Sequence, residues 1–131
     1  MEITGAKELF IDSDNQVQYF VGSIKFDYKD TELLHEDIIE FSTCLESQIS
    51  VNSEEMFDAG FKKGDEVIFG YFKDRIDEAG FEFIIGAEQL NKDSLAEMKE
   101  FFEEGSMDEV EEWFLEKFDL GERFVISYYT F

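Results

Sequence analysis

Residues 93–118, DSLAEMKEFFEEGSMDEVEEWFLEKF, read as two consecutive amphipathic helices broken at Gly105. In the first, Asp93, Glu97, Glu100 and Glu104 recur at i, i+4, i+7 and i+11, which puts them on one stripe of a helix turning about 100° per residue. Leu95, Met98 and Phe102 point the other way, and Phe101 flanks them. In the second, Met107, Val110, Trp113, Phe114 and Phe118 form an apolar face, with Asp108, Glu109, Glu112 and Glu116 opposite and Glu111 at the boundary. Like charges four residues apart destabilise a helix by a few tenths of a kcal/mol per pair. Only Lys99 and Lys117 stand against the eleven acids from Asp93 to Asp119. Selection for helix stability alone would interleave lysines, so the stretch predicts a negative surface turned toward a cationic partner.

The excess charge is not spread evenly. Of the net −22, residues 27–58 hold ten acids against one base and residues 93–119 hold eleven against two, so these two segments supply −9 each. The intervening segments are nearly balanced and read mostly as strands. A halophilic coat would be uniform, so this layout opposes that reading. With 44% hydrophobic residues and 16 Phe, the chain also lacks the composition of a disordered acidic tail. Its 131 residues, without a Pro- or Ser-rich linker, predict a single domain over 1–131 with a hydrophobic core.

Outward from the helices, residues 6–12 and 16–27 read as a hairpin around Ser13, Asp14 and Asn15. Val17, Tyr19 and Val21 alternate with Phe20, Ile24 and Phe26, so both faces of the second strand carry bulk, and Gly22 marks an expected bulge. From Asp30 as N-cap, Leu34, Ile38 and Phe41 recur at helical spacing with Glu32, Glu36 and Glu40 opposite, which predicts a third acidic stripe. Phe41, Thr43, Leu45, Ser47, Ile49 and Val51 also alternate as a strand, so a helix ending near Phe41 and a following strand compete there. Asn52 and Glu55 form a capping box for a short helix over 53–59, closed by Gly60. Residues 66–72 and 80–85 predict a second hairpin across the polar loop 73–79, and 123–131 a closing strand. The expected fold class is α+β: an antiparallel sheet of five or six strands with two or three acidic amphipathic helices packed on one face.

The run Gly60 to Val67, GFKKGDEV, resembles over eight residues the turn-into-strand segment of swapped-hairpin bacterial transcription factors of the AbrB type. That resemblance implies DNA binding, which a net charge of −22 opposes. The run is therefore read as a turn leading into a strand.

Catalysis has little to work with. His35 is the one histidine and Cys44 the one cysteine, so multi-histidine metal sites, cysteine zinc sites and internal disulfides are excluded. No GxSxG elbow or phosphate-binding glycine loop occurs. The stretch from Asp12 lacks the glycine that a calcium loop needs at its sixth position, where Val17 stands. A non-enzymatic protein without metal or cofactor is expected. No apolar stretch approaches the roughly 20 residues of a membrane span, and no basic, apolar leader opens the sequence, which predicts a cytoplasmic protein.

The predicted partner surface comprises Asp93, Glu97, Glu100, Glu103, Glu104, Asp108, Glu109, Glu112 and Glu116, with Glu32, Glu36 and Glu40 as a second patch. Four carboxylates on the first stripe lie roughly 5 Å apart at a rise of about 1.5 Å per residue. Each strand of duplex DNA carries one charge per about 3.4 Å. In composition and layout the chain is similar to the small acidic anti-restriction and anti-CRISPR proteins of phages and mobile elements, which implies mimicry of nucleic-acid charge in the cationic groove of a DNA- or RNA-processing protein. The alternative is an immunity or antitoxin protein that neutralises a cognate basic nuclease toxin. Either way the expected partner is a basic protein, with no direct binding of nucleic acid and no membrane; the sequence assigns no oligomeric state.

Overall fold

The computed structural model describes residues 2–13, 16–27, 37–42 and 48–130. In chain order the elements are β1 (Glu2–Ile3), β2 (Lys7–Ser13), β3 (Val17–Phe26), β4 (Ile38–Ser42), β5 (Gln48–Asn52), α1 (Ser53–Asp58), β6 (Asp65–Asp74), β7 (Ala79–Gly86), a 3-10 turn (Ala87–Gln89), α2 (Lys92–Glu104), α3 (Met107–Lys117) and β8 (Phe124–Thr130). The fold is α+β, with a five-stranded antiparallel sheet in the order β2-β3-β6-β7-β8.

β6 occupies the middle of that sheet because its side chains are apolar on both sides. Val67, Phe69 and Tyr71 face one way into a cluster with Phe20, Phe26 and Ile84. Ile68 and Phe72 face the other, with Tyr19, Val21, Phe81, Phe83 and Ile85. Bulk on both faces is the mark of a strand covered on both sides. The second of these clusters is closed by Met98 and Phe102 of α2 and by Val110, Trp113 and Phe114 of α3. Rings interlock there: Phe72 and Phe83 both meet Phe102 edge-on, and Phe114 lies 4.6 Å from Phe83. Such pairs add about 0.5–1.5 kcal/mol beyond simple burial.

The opposite face is closed by a separate three-stranded sheet, β1-β4-β5, together with α1. β1 runs parallel to β4, pairing Glu2 with Glu40 and Ile3 with Phe41. β4 and β5 are antiparallel, and Ile39, Phe41, Ile49, Val51 and Met56 are buried against the large sheet. The sequence reading of a helix ending near Phe41 is corrected at this point. Ile38 to Ser42 form a strand, and of the alternating residues Phe41 lies on β4 and Ile49 and Val51 on its partner β5, while Thr43, Leu45 and Ser47 lie outside the described residues. The rest of that expected helix, with Asp30, Glu32, Leu34, His35 and Glu36, lies outside the described residues, as do Cys44 and the turn residues Asp14 and Asn15.

Two local expectations are refined. The irregularity in the β2–β3 ladder falls between Glu8 and Phe10 on β2, opposite Gly22 rather than at it. Gly22 is required for a different reason, since a Cβ there would stand 2.7 Å from the Phe20 ring. Asn52 caps α1 by accepting from the N–H of Glu54 at 2.8 Å, not through a reciprocal bond with Glu55.

Candidate partner-binding surface

The two helices that bear most of the candidate acids start at side-chain caps. Asn91 Oδ1 accepts from the Ser94 N–H at 2.9 Å while Ser94 Oγ accepts from the Asn91 N–H at 2.8 Å. Ser106 and Glu109 repeat the arrangement on α3, with Ser106 Oγ accepting from the Glu109 N–H and Glu109 Oε1 accepting from the Ser106 N–H. Each box satisfies donors that the first turn leaves orphaned. Gly105 separates the helices with φ −86°, an ordinary value. It is glycine because a Cβ would come within 2.7 Å of the Phe101 carbonyl oxygen.

On this hairpin Asp93, Glu100, Glu103, Glu104, Asp108, Glu109, Glu112 and Glu116 are exposed. Glu100, Glu104 and Glu109 converge with Phe101 and Gly105 around an open cleft of about 290 Å³ at the junction of the helices. Glu103 forms a loose i, i+4 pair with Lys99 at 3.9 Å. Glu112 and Glu116 continue the negative surface along α3.

Glu97 has a different task from its neighbours on the stripe. It is half-buried, its Oε1 accepts from the Trp113 indole N–H at 2.6 Å, and its Oε2 lies 3.5 Å from Lys117 Nζ. The Trp113 bond, helped by Lys117, holds its carboxyl below the usual glutamate range. Trp113 is buried and also packs against Phe101, Phe114 and Phe118. The carboxylate thus ties α2 to α3, because a buried indole N–H needs an acceptor.

Glu40 lies on β4, in the small sheet, on the other side of the large sheet from α2 and α3. It is half-buried and does not join the helical surface. Glu32 and Glu36 lie outside the described residues. Among the described residues no three His, Cys, Asp or Glu side chains are grouped as metal ligands would be. Among the described residues no helix is long and apolar enough to cross a membrane.

Arg123 is a functional position of the fold that sequence reasoning missed. Its guanidinium holds both oxygens of Glu88, lies 2.6 Å from Asp65 Oδ2, donates to the Gly60 carbonyl at 3.1 Å and covers the Phe61 ring. Its own backbone is left-handed, φ 57°, with its N–H donated to the Ala59 carbonyl at 2.6 Å. The hydrogen bond from Arg123 holds the Glu88 carboxyl below its ordinary value. At Asp65 burial pushes upward, and the Arg123 and Lys62 hydrogen bonds outweigh it. The signal available in the sequence was an isolated cation just before the last strand, flanked by Gly121 and Glu122.

The chain matches no protein-family model, no curated protein and no solved structure.

Proposed function

We propose that this protein is a non-enzymatic acidic inhibitor that mimics the charge of nucleic acid and occupies the cationic groove of a DNA- or RNA-processing protein. We read α2 and α3 as acidic amphipathic helices on one face of the large sheet, their acidic sides outward. The observation that carries the reading is the set of exposed carboxylates along α2 and α3, from Asp93 to Glu116; of the three lysines on these helices, Lys99 and Lys117 are already engaged by Glu103 and Glu97. A groove built to receive closely spaced phosphates offers many lysines and arginines, and a rigid row of carboxylates displaces the same counterions. The ring packing beneath the helices supports the required rigidity, since a preorganised charged face loses less entropy on binding.

Such a protein does not bind nucleic acid itself, because like charges repel, but displaces it from the target. The test is a titration of a candidate target, loaded with labelled DNA or RNA, at about 50 and about 300 mM salt. Displacement that weakens steeply at the higher salt supports mimicry, since several exposed ion pairs are screened together. Simultaneous binding of protein and nucleic acid at both salts overturns it. Competition that keeps its affinity at high salt favours an immunity-type interface centred on apolar anchors.

A further inference from the structure

The two edges of the five-stranded sheet are built differently. β2, at one edge, carries Lys7, Glu8 and Asp12 and is kinked at the Glu8–Phe10 irregularity, the usual protection against further pairing. β8, at the other, reads FVISYYT without a charge, proline or bulge, and pairs with β7 in unbroken register from Phe124–Ile85 to Thr130–Ala79. The Gly86 N–H donates to the Arg123 carbonyl and the Gly121 N–H to the Phe124 carbonyl. The antiparallel alternation that follows turns the N–H and C=O of Ile126, Tyr128 and Thr130 to the outer edge. No described strand takes them up. Beside them stand exposed Leu120 (58%) and Tyr128 (52%). Open clefts flank both ends of the strand, one lined by Glu55, Asp58, Leu120, Gly121 and Ile126 and the other by Met107, Tyr128 and Thr130, so the two acids stand beside the start of β8 and not on it.

We propose that β8 pairs with β8 of a second copy of this chain, antiparallel about a two-fold axis at Ser127. In this register Ile126 of each copy faces Tyr128 of the other, which makes two hydrogen-bonded pairs, about four N–H···O bonds, from the groups that point outward. Ser127 meets its counterpart as a non-hydrogen-bonded pair, and Val125 meets Tyr129. The charge layout selects this occupant: residues 120–131 carry one acid and one base in a chain of net −22, so two copies meet there with least opposition, while a cationic partner finds nothing on the strand to pair with. A seven-residue edge is about 24 Å long, and across the thickness of the layers it buries roughly 1,000 Å² in total, the low end for a specific interface. The dimer is therefore weak and salt-strengthened. The axis stands normal to the sheet and leaves α2 and α3 of both copies on one side, although the pairing does not depend on what those helices bind.

Sedimentation equilibrium of the full chain at about 300 mM salt, from about 1 to about 500 µM, tests this. The expected mass rises from 15.4 kDa toward twice that value and rises less at about 20 mM salt. Tyr128→Lys, at an exposed position beside Glu111, stays monomeric with an unchanged circular dichroism spectrum, while Ile11→Lys on β2 dimerises as the parent does. In a Cys44→Ser background, Ser127→Cys forms an interchain disulfide under mild oxidant, because non-hydrogen-bonded antiparallel pairs bring Cβ atoms within reach of a disulfide. A monomer throughout the concentration range, a dimer that survives Tyr128→Lys, or a Ser127→Cys variant that dimerises without cross-linking each overturns the proposal. Should Tyr128→Lys unfold, the cross-link alone decides.

Discussion

One face of the five-stranded sheet is covered by α2 and α3, neighbours in the chain between β7 and β8, and the other by β1, β4, β5 and α1, gathered from residues 2–3 and 38–58. The first cover is made of local structure and the second of distant pairing, with Glu2 set against Glu40 in parallel. Their glutamates differ in the same sense. Glu97, on the helical side, lies at the surface and is held ionised by an indole N–H and an ammonium. Glu82, on the other side, is enclosed among Ile49, Val51, Val125 and Ser127, and burial pushes its carboxyl up, only partly opposed by Lys73. Both carboxylates are half-buried, and what separates them is that Glu97 has donors beside it while burial dominates at Glu82.

The largest effect should come from removing a ring from either cover. Trp113→Ala on the helical side and Phe41→Ala on the sheet side should each cost about 3–5 kcal/mol, since both side chains are buried and leave a cavity. Urea denaturation of both variants checks this. A cost for Phe41→Ala below about 1 kcal/mol would break the comparison, because the small sheet would then contribute little to the core.

That asymmetry also explains what could be read from the sequence. The helical cover was legible because Met98, Phe102, Val110, Trp113 and Phe114 repeat at helical spacing and Gly105 marks the break between the two helices. The strands of the large sheet were legible from alternation and from the bulk on both sides of β3. The small sheet was legible only in part: Ile49 and Val51 alternate as on β5, but Ile38–Ser42 also satisfies helical spacing at Ile38 and Phe41. Its pairing with β1 is a contact across the chain that no local window records. At the surface, spacing placed Glu97 on its stripe but did not show its bond to Trp113, since which acid meets the indole N–H depends on how α2 and α3 are juxtaposed.

Arg123 ties together segments at one end of the large sheet, joining Glu88 after β7 with Asp65 at the start of β6 and the carbonyl of Gly60 after α1. Arg123→Ala should cost about 2 kcal/mol through lost hydrogen bonds to charged groups. Because Asp65 and Glu88 titrate below their ordinary values in the folded protein, their contribution is complete above the unfolded carboxyl range and is lost as pH falls through the folded values. The variant should therefore lose less stability than the parent on acidification below roughly pH 4. Equal acid sensitivity in both would separate Arg123 from this link.

A smaller effect sets Glu97 against Glu82. The Glu97 carboxyl is depressed, so its stabilisation is present above the unfolded range and disappears as pH falls through the folded value. The Glu82 carboxyl is raised, so the folded protein gains relative stability as pH falls through its elevated value toward the unfolded one. Trp113→Phe should flatten the acid loss of stability, and Glu82→Gln should raise the melting temperature at pH 7 while removing the gain on acidification toward the unfolded carboxyl range. Thermal melts from pH 4 to 7 read both, and identical profiles for the two variants would erase the distinction between the faces.

The smallest change in stability, and the sharpest test of the acidic surface, comes from dividing the helical acids by their surroundings. Glu100, Glu104 and Glu116 are exposed; Glu100 and Glu104 repel each other at i, i+4, and Glu104 and Glu116 lie in last turns, where the helix dipole disfavours an anion. Changing these three to Gln should leave the melting temperature unchanged or raise it by a degree or two. Asp93, Glu97 and Glu109 remove the same three charges, but Asp93 is in a first turn, Glu97 binds Trp113 and Glu109 completes a capping box. Replacing Asp93 with Asn and both glutamates with Ala, which removes the acceptors as well as the charges, should lower the melting temperature by several degrees. If the surface acts through summed charge, both triple variants should compete about equally less well with nucleic acid for the target at about 50 mM salt, despite their opposite stabilities. A loss of competition in the destabilised triple alone would mean that the helical scaffold, rather than its carboxylates, is what the partner recognises.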